Sequence, residues 1–413
     1  MFWEKKLEDW VDGIRNRAVL PLRVQLWNGR RFDFGTPFPQ VTVRIPQASS
    51  LAYLLRPSLL NLGRAYVEGK IDIEGKVDQI IRVGGMLAST MTKQPGSARQ
   101  SARAALQRLV QAGASGDREH TRKIDADAIR YHYDVSNDFY AQWLDPQMVY
   151  SCAYFENGDE DLATAQIEKI DHILAKLRLQ QGHRLLDIGC GWGALVIRAA
   201  QRYGVHCIGV TLSEQQYALA CQRVQKAGLQ QLVEIRRQDY RDLDGRFDRI
   251  TSVGMFEHVG LKNLPLYFGK IRALLAEDGV AMNHGITTTN VKAANAAYGA
   301  GEFIERYVFP HGELAHAGTV LLAMQEAGLE AVDVENLRRH YARTCAIWSE
   351  NFDARSDCIR LLVDEKRFRI WRLYLAGCAY AFEQDWIALH QILCVRAGSN
   401  AAGHPWSRRY MYG

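Results

Sequence analysis

No apolar run in this chain approaches the ~20 residues that a bilayer-spanning helix needs. The opening stretch, Met1 to Asp12, is charged and lacks the apolar core of a secretory leader. Of the eight cysteines none stands in a Cys-x-x-Cys pair, and no Cys/His cluster has zinc spacing. These gaps argue against a membrane-spanning protein, a disulfide framework and a structural metal, and they predict free thiols in a reducing cytoplasm. Low-complexity tracts are missing too. With 47% hydrophobic and 23% charged residues over 413 positions, the composition is ordinary for a globular protein long enough for two domains. One further absence is local. Between Gln79 and Gly116 there is no acidic residue, while Arg82, Lys93, Arg99, Arg103 and Arg108 supply five positive charges, equal to the whole chain's net +5. Such a patch answers anionic lipid head groups or nucleic acid; a solvated basic linker helix accounts for it equally well.

What is present begins with a small α+β module. Met1 to Arg17 reads as a helix with Leu7, Trp10, Val11 and Ile14 on its apolar side. Alternation across Val24 to Phe34 flanks Asn28-Gly29 and predicts a hairpin with a type I′ turn. Val41 to Ile45 reads as a strand, Ser58 to Val67 as a helix, Lys70 to Gly75 as a short strand and turn, and Val77 to Leu87 as a helix. No catalytic constellation stands out here. Pro95-Gly96 breaks the chain, Ser97 to Gln111 is amphipathic, and Gly113 to Gly116 is loose, which predicts domains at 1–115 and 116–413.

The second part is organised around Leu185 to Gly193, Leu-Leu-Asp-Ile-Gly-Cys-Gly-Trp-Gly. A buried strand, a tight turn and a helix start follow from that order. The spacing Asp-x-Gly-x-Gly-x-Gly, with Asp187, Gly189, Gly191 and Gly193, suits the S-adenosylmethionine (SAM) loop of a Rossmann-like methyltransferase better than a dinucleotide fingerprint. Further strands are expected at Val205–Val210, Leu232–Arg236, Phe247–Val253 and Gly279–Asn283, alternating with helices. That pattern predicts an α/β doubly wound sheet, a Rossmann-like class I methyltransferase fold, with ligands beyond the carboxyl ends of the strands. Five stretches are expected there: Gly189–Gly193, Thr211–Gln216, Asp239-Tyr240, Gly254–His258 and His284–Ile286. Thr211, Leu212, Ser213 and Gln216 would take the cofactor's ribose side, where many methyltransferases place an acid. Asp239 can accept from the adenine amino group and Tyr240 can stack. A plain helix cap at Ser213 and a surface turn at Asp239 remain open as alternatives.

At this point the chain resembles the cyclopropane-fatty-acid synthase family. The resemblance rests on His132 to Asn137, Leu144-Asp-Pro through Tyr150-Ser-Cys-Ala-Tyr154, Leu185 to Gly193, Gln238 to Asp242 and Ser252 to Gly260. It continues with His284-Gly-Ile286, Arg306 to Pro310, Tyr341 to Thr344 and Tyr374 to Ala379, and so covers Ile129 to Val395. Gly63 to Gly69 resembles the N-terminal domain of the phospholipid-acting members. The resemblance implies transfer of a methylene group from SAM across a cis double bond of a phospholipid acyl chain. It implies Tyr150 and Ser151 on the SAM side. It also implies a bicarbonate ion as general base, bound by Cys152, Glu257, His284, the backbone of Ile286, and Tyr341. Cys378 matches a cysteine once assigned as active-site residue; its small neighbours Ala376, Gly377 and Ala379 suit close helix packing instead. Gly285-Ile-Thr-Thr-Thr289 departs from the Thr-Ile-Gly that many members carry.

A homodimer, peripherally associated with the inner membrane surface and without a nucleic-acid partner, is the further expectation. No Asn/Asp-Pro-Pro-Tyr motif follows strand four, where Gly254-Met-Phe-Glu257 stands. Two other outcomes stay open: a methyl- or methylene-branched acyl product, and a non-catalytic lipid-binding protein with a SAM fold.

Overall fold

The computed structural model describes residues 2–36, 38–55, 59–92, 135–289, 300–308, 313–399 and 405–412. The expected linker helix and most of the basic stretch, Lys93 to Arg108, lie outside the described residues. The chain forms two compact units, one of Met1–Glu119, Asn295–Pro310 and Val363–Tyr380, the other of His120–Ala294, His311–Leu362 and Ala381–Gly413.

In the first unit, helix α1 (Phe2–Arg15) buries Leu7, Val11 and Ile14, which its 3.6-residue period puts on one face. Strands β1 (Leu22–Leu26), β2 (Arg31–Asp33), β3 (Val41–Ile45) and β4 (Asp72–Glu74) form a sheet in the order β2-β1-β3-β4. Leu22, Val24 and Leu26, like Val41, Val43 and Ile45, alternate inward. The β1–β2 hairpin is present, but its turn is not type I′. Only Gly29 has positive φ (+82°), the Gly29 N–H donates to Leu26 O (3.0 Å), and Leu26 N–H donates to Arg30 O (2.9 Å). That is a type I turn closed by a left-handed glycine, the arrangement of a bulged three-residue loop. Helices α2 (Leu51–Leu55), α3 (Leu59–Val67) and α4 (Val77–Thr92) follow. Two later pieces complete this unit: α10 (Ala300–Tyr307), and α14 (Glu365–Glu383) as far as Tyr380. Arg369 of α14 donates to Tyr66 O (2.9 Å) and sits 4.7 Å over the Tyr66 ring, which gives the Gly63–Gly69 stretch a packing role.

In the second unit, α5 (Asn137–Ala141) and α6 (Leu162–Leu177) precede a seven-stranded sheet. Its strands are β5 (Arg184–Ile188), β6 (His206–Thr211), β7 (Val233–Arg237), β8 (Phe247–Val253), β9 (Leu275–Thr288), β10 (Leu329–Asn336) and β11 (Ile387–Arg396). The order is β10-β11-β9-β8-β5-β6-β7, with β5 to β9 mutually parallel and β11 antiparallel to both neighbours. Helices α7 (Ala194–Tyr203), α8 (Glu214–Lys226), α9 (Leu264–Leu274), α11 (Ala317–Glu326), α12 (Arg338–Ala354) and α13 (Ser356–Leu362) occupy the connections. β5 is apolar on both sides because both faces are covered. Leu185 joins α6 and α7 residues such as Ile173, Leu177 and Val196, while Leu186 and Ile188 join α9 and α11 residues such as Phe268, Ile271 and Met324.

The five expected strands are all found, and the sheet has two more, β10 and β11. β9 is also far longer than expected. Residues His284 to Ile286 were expected to follow their strand; they lie inside it. The cause is β11, which pairs with β9 from Val280 to Thr288 and prolongs it beyond the last β8 pair, Val253↔His284.

Candidate active site

β5 ends at the point where the strand order reverses, between β6 and β8, and the glycine turn begins there. Gly189, Gly191 and Gly193 have φ of +82°, +54° and +84°. The three glycines are not equivalent. A Cβ on Gly189 would stand 2.7 Å from Met255 Cγ, and one on Gly193 would stand 3.3 Å from Ala220 Cβ. A Cβ on Gly191 would meet nothing within 4 Å. Gly189 and Gly193 serve packing; Gly191 presents bare backbone to open space at the strand end, as close approach of a ligand requires. Trp192, between them, donates from Nε1 to Asn137 Oδ1 (2.7 Å) and so ties the turn to α5.

The other expected cofactor residues surround this turn with internal bonds. Asp187 is buried and accepts from Thr251 Oγ1 (2.7 Å); burial pushes its carboxyl up to about 6. Thr211 donates to Gln216 Oε1 (2.7 Å) and accepts from Ser213 N–H (3.1 Å), with Leu212 between them in the turn. Ser213 Oγ accepts from Gln216 N–H (3.3 Å) as the N-cap of α8. Asp239 accepts from the Arg241 N–H and pairs with its guanidinium (2.7 Å). Tyr240 stands edge-on to Tyr267 at 5.5 Å between centroids.

The Leu144–Tyr154 motif is pinned by Asp145, whose carboxylate accepts from the N–H groups of Gln147 and Val149 (both 2.8 Å). Tyr150 then lies among Tyr140, Trp143 and Trp348, with centroids 5.2 to 5.7 Å away. Ser151 Oγ accepts from the buried Lys169 Nζ (2.9 Å), the lysine's one hydrogen bond among the described residues. Burial pulls that ammonium down to about 8.

The second group of expected residues gathers along β9. Past His284 the strand has lost β8, and the turn after β8 covers its open edge. Gly254 N–H donates to His284 O (2.8 Å), and Ile286 N–H donates to Glu257 Oε1 (2.7 Å). The Ile286 amide therefore fixes the Glu257 carboxylate. Gly285 is needed at this crossing, since a Cβ there would lie 2.1 Å from Phe256 Cε1. Glu257 Oε2 and His284 Nε2 are buried with no hydrogen-bond partner among the described residues. Burial raises Glu257 to about 7, against the Ile286 N–H, which lowers it. Burial, with Lys169 and Lys176 adding to it, drives His284 well below its ordinary value and keeps it neutral.

Cys152 and Tyr341 are joined through the start of α12. The Cys152 thiol contacts Leu337 O (3.9 Å), Ala153 N–H donates to Thr344 Oγ1 (3.1 Å), and Tyr341 N–H donates to Leu337 O (3.0 Å). Burial raises both acids, so Cys152 is a thiol and Tyr341 a neutral phenol. The Tyr341 ring packs 4.6 Å from Phe382 and 5.9 Å from Trp348. Cys378 belongs to another unit. It lies on the α14 stretch assigned to the first unit, where burial pushes its thiol up to about 12.

The family model described as mycolic acid cyclopropane synthetase matches residues 120–392, and a domain of unknown function matches residues 10–94. The chain is 49% identical, over 95% of its length and 96% of the relative's, to a probable fatty acid methyltransferase of Pseudomonas putida. It is 36% identical to cyclopropane mycolic acid synthase 1 of Mycobacterium tuberculosis, over 64% of this chain and 96% of that one. The crystal structure of mycolic acid cyclopropane synthase CmaA1 complexed with SAH and CTAB aligns with a TM-score of 0.63 at 35% identity, covering 67% of this chain and 99% of that one. The chain belongs to the mycolic acid cyclopropane synthetase family. It is a SAM-dependent methyltransferase with the class I fold.

The open space at Gly191, beyond a buried strand and beside the Thr211–Gln216 turn, fits the amino-acid and ribose part of SAM. Several residues of this family member were not singled out in the sequence. Arg241 engages Asp239, Lys169 engages Ser151, and Gln391 Nε2 stands 3.3 Å from His284 Nδ1. Spacing along the chain carries no signal for Gln391, since β11 itself was not expected.

Proposed function

We propose that this enzyme transfers a methylene group from SAM to a cis double bond of a phospholipid-bound unsaturated fatty acyl chain and closes a cyclopropane ring. The observation that carries the reading is the pair of buried, unpartnered polar atoms on Glu257 and His284. Buried polar atoms are almost always satisfied in folded proteins, so two unsatisfied ones, one on β9 and one on the turn that bonds its Ile286 amide, call for a small polar ligand. When bound, SAM supplies an electrophilic methyl group and bicarbonate supplies the base that removes a proton.

Glu257 Oε2 would accept a hydrogen bond from the protonated oxygen of bicarbonate, and His284 Nε2 would donate to the anion. Cys152 as a thiol and Tyr341 as a phenol add neutral donors without adding negative charge. The rings of Tyr341, Phe382, Trp348 and Tyr150 would face developing positive charge and keep water from it. The test is purified enzyme with SAM and unsaturated phospholipid vesicles, in carbonate-depleted buffer with bicarbonate titrated back. A gain of one CH2 per acyl chain that depends on bicarbonate is expected; a rate indifferent to bicarbonate sinks the base assignment.

A second reading, a branched acyl product, is favoured by the P. putida relative, which covers nearly the whole chain and is named a probable fatty acid methyltransferase. A methylene branch has the same mass as the ring, and a saturated methyl branch carries two further hydrogens. Proton NMR of the product lipid separates all three. For the partner, we read the basic stretch as the contact with anionic lipid, with peripheral binding at the inner membrane surface and a homodimer as the working form. Each of Arg99, Arg103 and Arg108 is then worth about 1 kcal/mol near the surface. Replacing all three by Gln should weaken vesicle binding more at low salt than at high salt. Equal binding by wild type and the triple variant would return the stretch to a plain linker.

A further inference from the structure

We infer that Gln391 is a positioning residue: its carboxamide, reaching across the β9–β11 pair, holds His284 with the proton on Nε2 and so makes it a hydrogen-bond donor to the site's anion. The inference rests on the reading that Glu257 and His284 hold bicarbonate.

Gln391 and His284 are directly opposed in the β9–β11 register, both 1% exposed or less. Gln391 Nε2 lies 3.3 Å from His284 Nδ1, and no other side chain among the described residues bonds this imidazole. An amide nitrogen can only donate, so the Nδ1 it meets must accept. A neutral imidazole with an accepting Nδ1 carries its hydrogen on Nε2, the nitrogen left without a partner among the described residues. The imidazole stays neutral here because burial opposes the cation and the ammonium groups of Lys169 and Lys176 oppose it further, with Glu335 acting the other way. The tautomer then decides function. With Nε2–H the ring donates to an anion; with Nδ1–H it would turn a lone pair toward negative charge. A glutamate at 391 would accept from Nδ1–H and impose the second state. Orienting groups behind a ligand-binding histidine act in this way at metal sites, and the same logic applies to an anion held by a neutral ring.

The experiment uses the full-length protein with 15N-labelled histidine and reads the ring nitrogens of His284 by long-range proton–nitrogen NMR. His284→Gln supplies the assignment. The expected wild-type spectrum is the Nε2–H tautomer. Gln391→Glu should move the proton to Nδ1 and raise the bicarbonate concentration for half-maximal rate by about tenfold, with SAM affinity unchanged. Gln391→Leu should give mixed tautomers and a smaller rise. An Nδ1–H tautomer in the wild type overturns the inference even if neither Gln391 variant folds. So does a Gln391→Glu enzyme with wild-type bicarbonate dependence. A wild-type rate indifferent to bicarbonate defeats the underlying anion-site reading, and with it the role given to Gln391. A bicarbonate-dependent wild type with the wrong tautomer defeats the Gln391 role alone.

Discussion

The two halves of the candidate site are built on opposite terms. Around the glycine turn almost every polar side chain is already bonded to the protein: Thr211 to Gln216, Ser213 to its helix, Asp239 to Arg241, Asp187 to Thr251. At β9 one polar atom of each of Glu257 and His284, Oε2 and Nε2, is buried with no partner among the described residues. The first half is a bonded cradle that leaves open space at Gly191, where a side chain is absent. The second stores unsatisfied polarity, a state that costs stability and that the proposed anion would relieve.

The sharpest way to break this comparison is Gly191→Val. A branched side chain would fill the open space and strain a backbone at φ +54°. SAM binding by calorimetry should be abolished, and turnover with it, while the circular dichroism spectrum stays native. Unchanged SAM affinity in the folded variant would remove the cofactor from this turn.

Next in size is Glu257→Gln, which keeps volume and the acceptor toward Ile286 but changes what the free oxygen offers. Turnover should fall by about a hundredfold, within the range for losing acid–base function, with SAM affinity within about twofold. Added bicarbonate should restore part of the rate. A fully active Glu257→Gln enzyme would make the β9 half a packing feature.

How much of this was legible beforehand follows the same division. Leu185 to Gly193 declares strand, turn and helix in nine consecutive residues, so the cradle could be read locally. The type of hairpin at Asn28-Gly29 could not be, because a bulged loop and a type I′ turn share those two residues. Nor could the length of β9. His284 lies inside a strand only because Ile387–Arg396, about a hundred residues later, pairs with it. Asp239 has a partner that the motif did not announce: its carboxylate is engaged by Arg241, two residues on. Long-range pairing and local competition for one carboxylate leave no period in a sequence.

A pH experiment sharpens the stored-polarity side. Glu257 is raised from 4.5 to about 7 in the folded protein. Below the unfolded value both states are protonated and the shift of Glu257 costs nothing. As pH rises toward 7 the unfolded chain gives up its proton while the folded one keeps it, so stability falls, and above 7 the full cost remains. Glu257→Gln should therefore be more stable than wild type above neutrality, by at most about 3 kcal/mol, and equal to it below pH about 4. Thermal melts across that window, without bicarbonate, make the measurement. A constant difference at every pH would mean that Glu257 is not held neutral by burial.

The smallest effect tests the glycines against each other. Gly191→Ala and Gly193→Ala place the same methyl group at φ +54° and +84°, so each should lose roughly 1 kcal/mol to left-handed backbone strain. Their surroundings differ. At Gly193 the methyl meets Ala220 Cβ at 3.3 Å and must push helix α8, which adds a further small cost in stability. At Gly191 it meets no protein atom within 4 Å and adds no such cost. Melting temperatures should thus rank Gly193→Ala at or below Gly191→Ala, while SAM affinity ranks the other way, with a several-fold loss confined to Gly191→Ala. If both variants lose SAM affinity equally, the turn acts only through its overall shape, and the open space at Gly191 is not where the cofactor approaches.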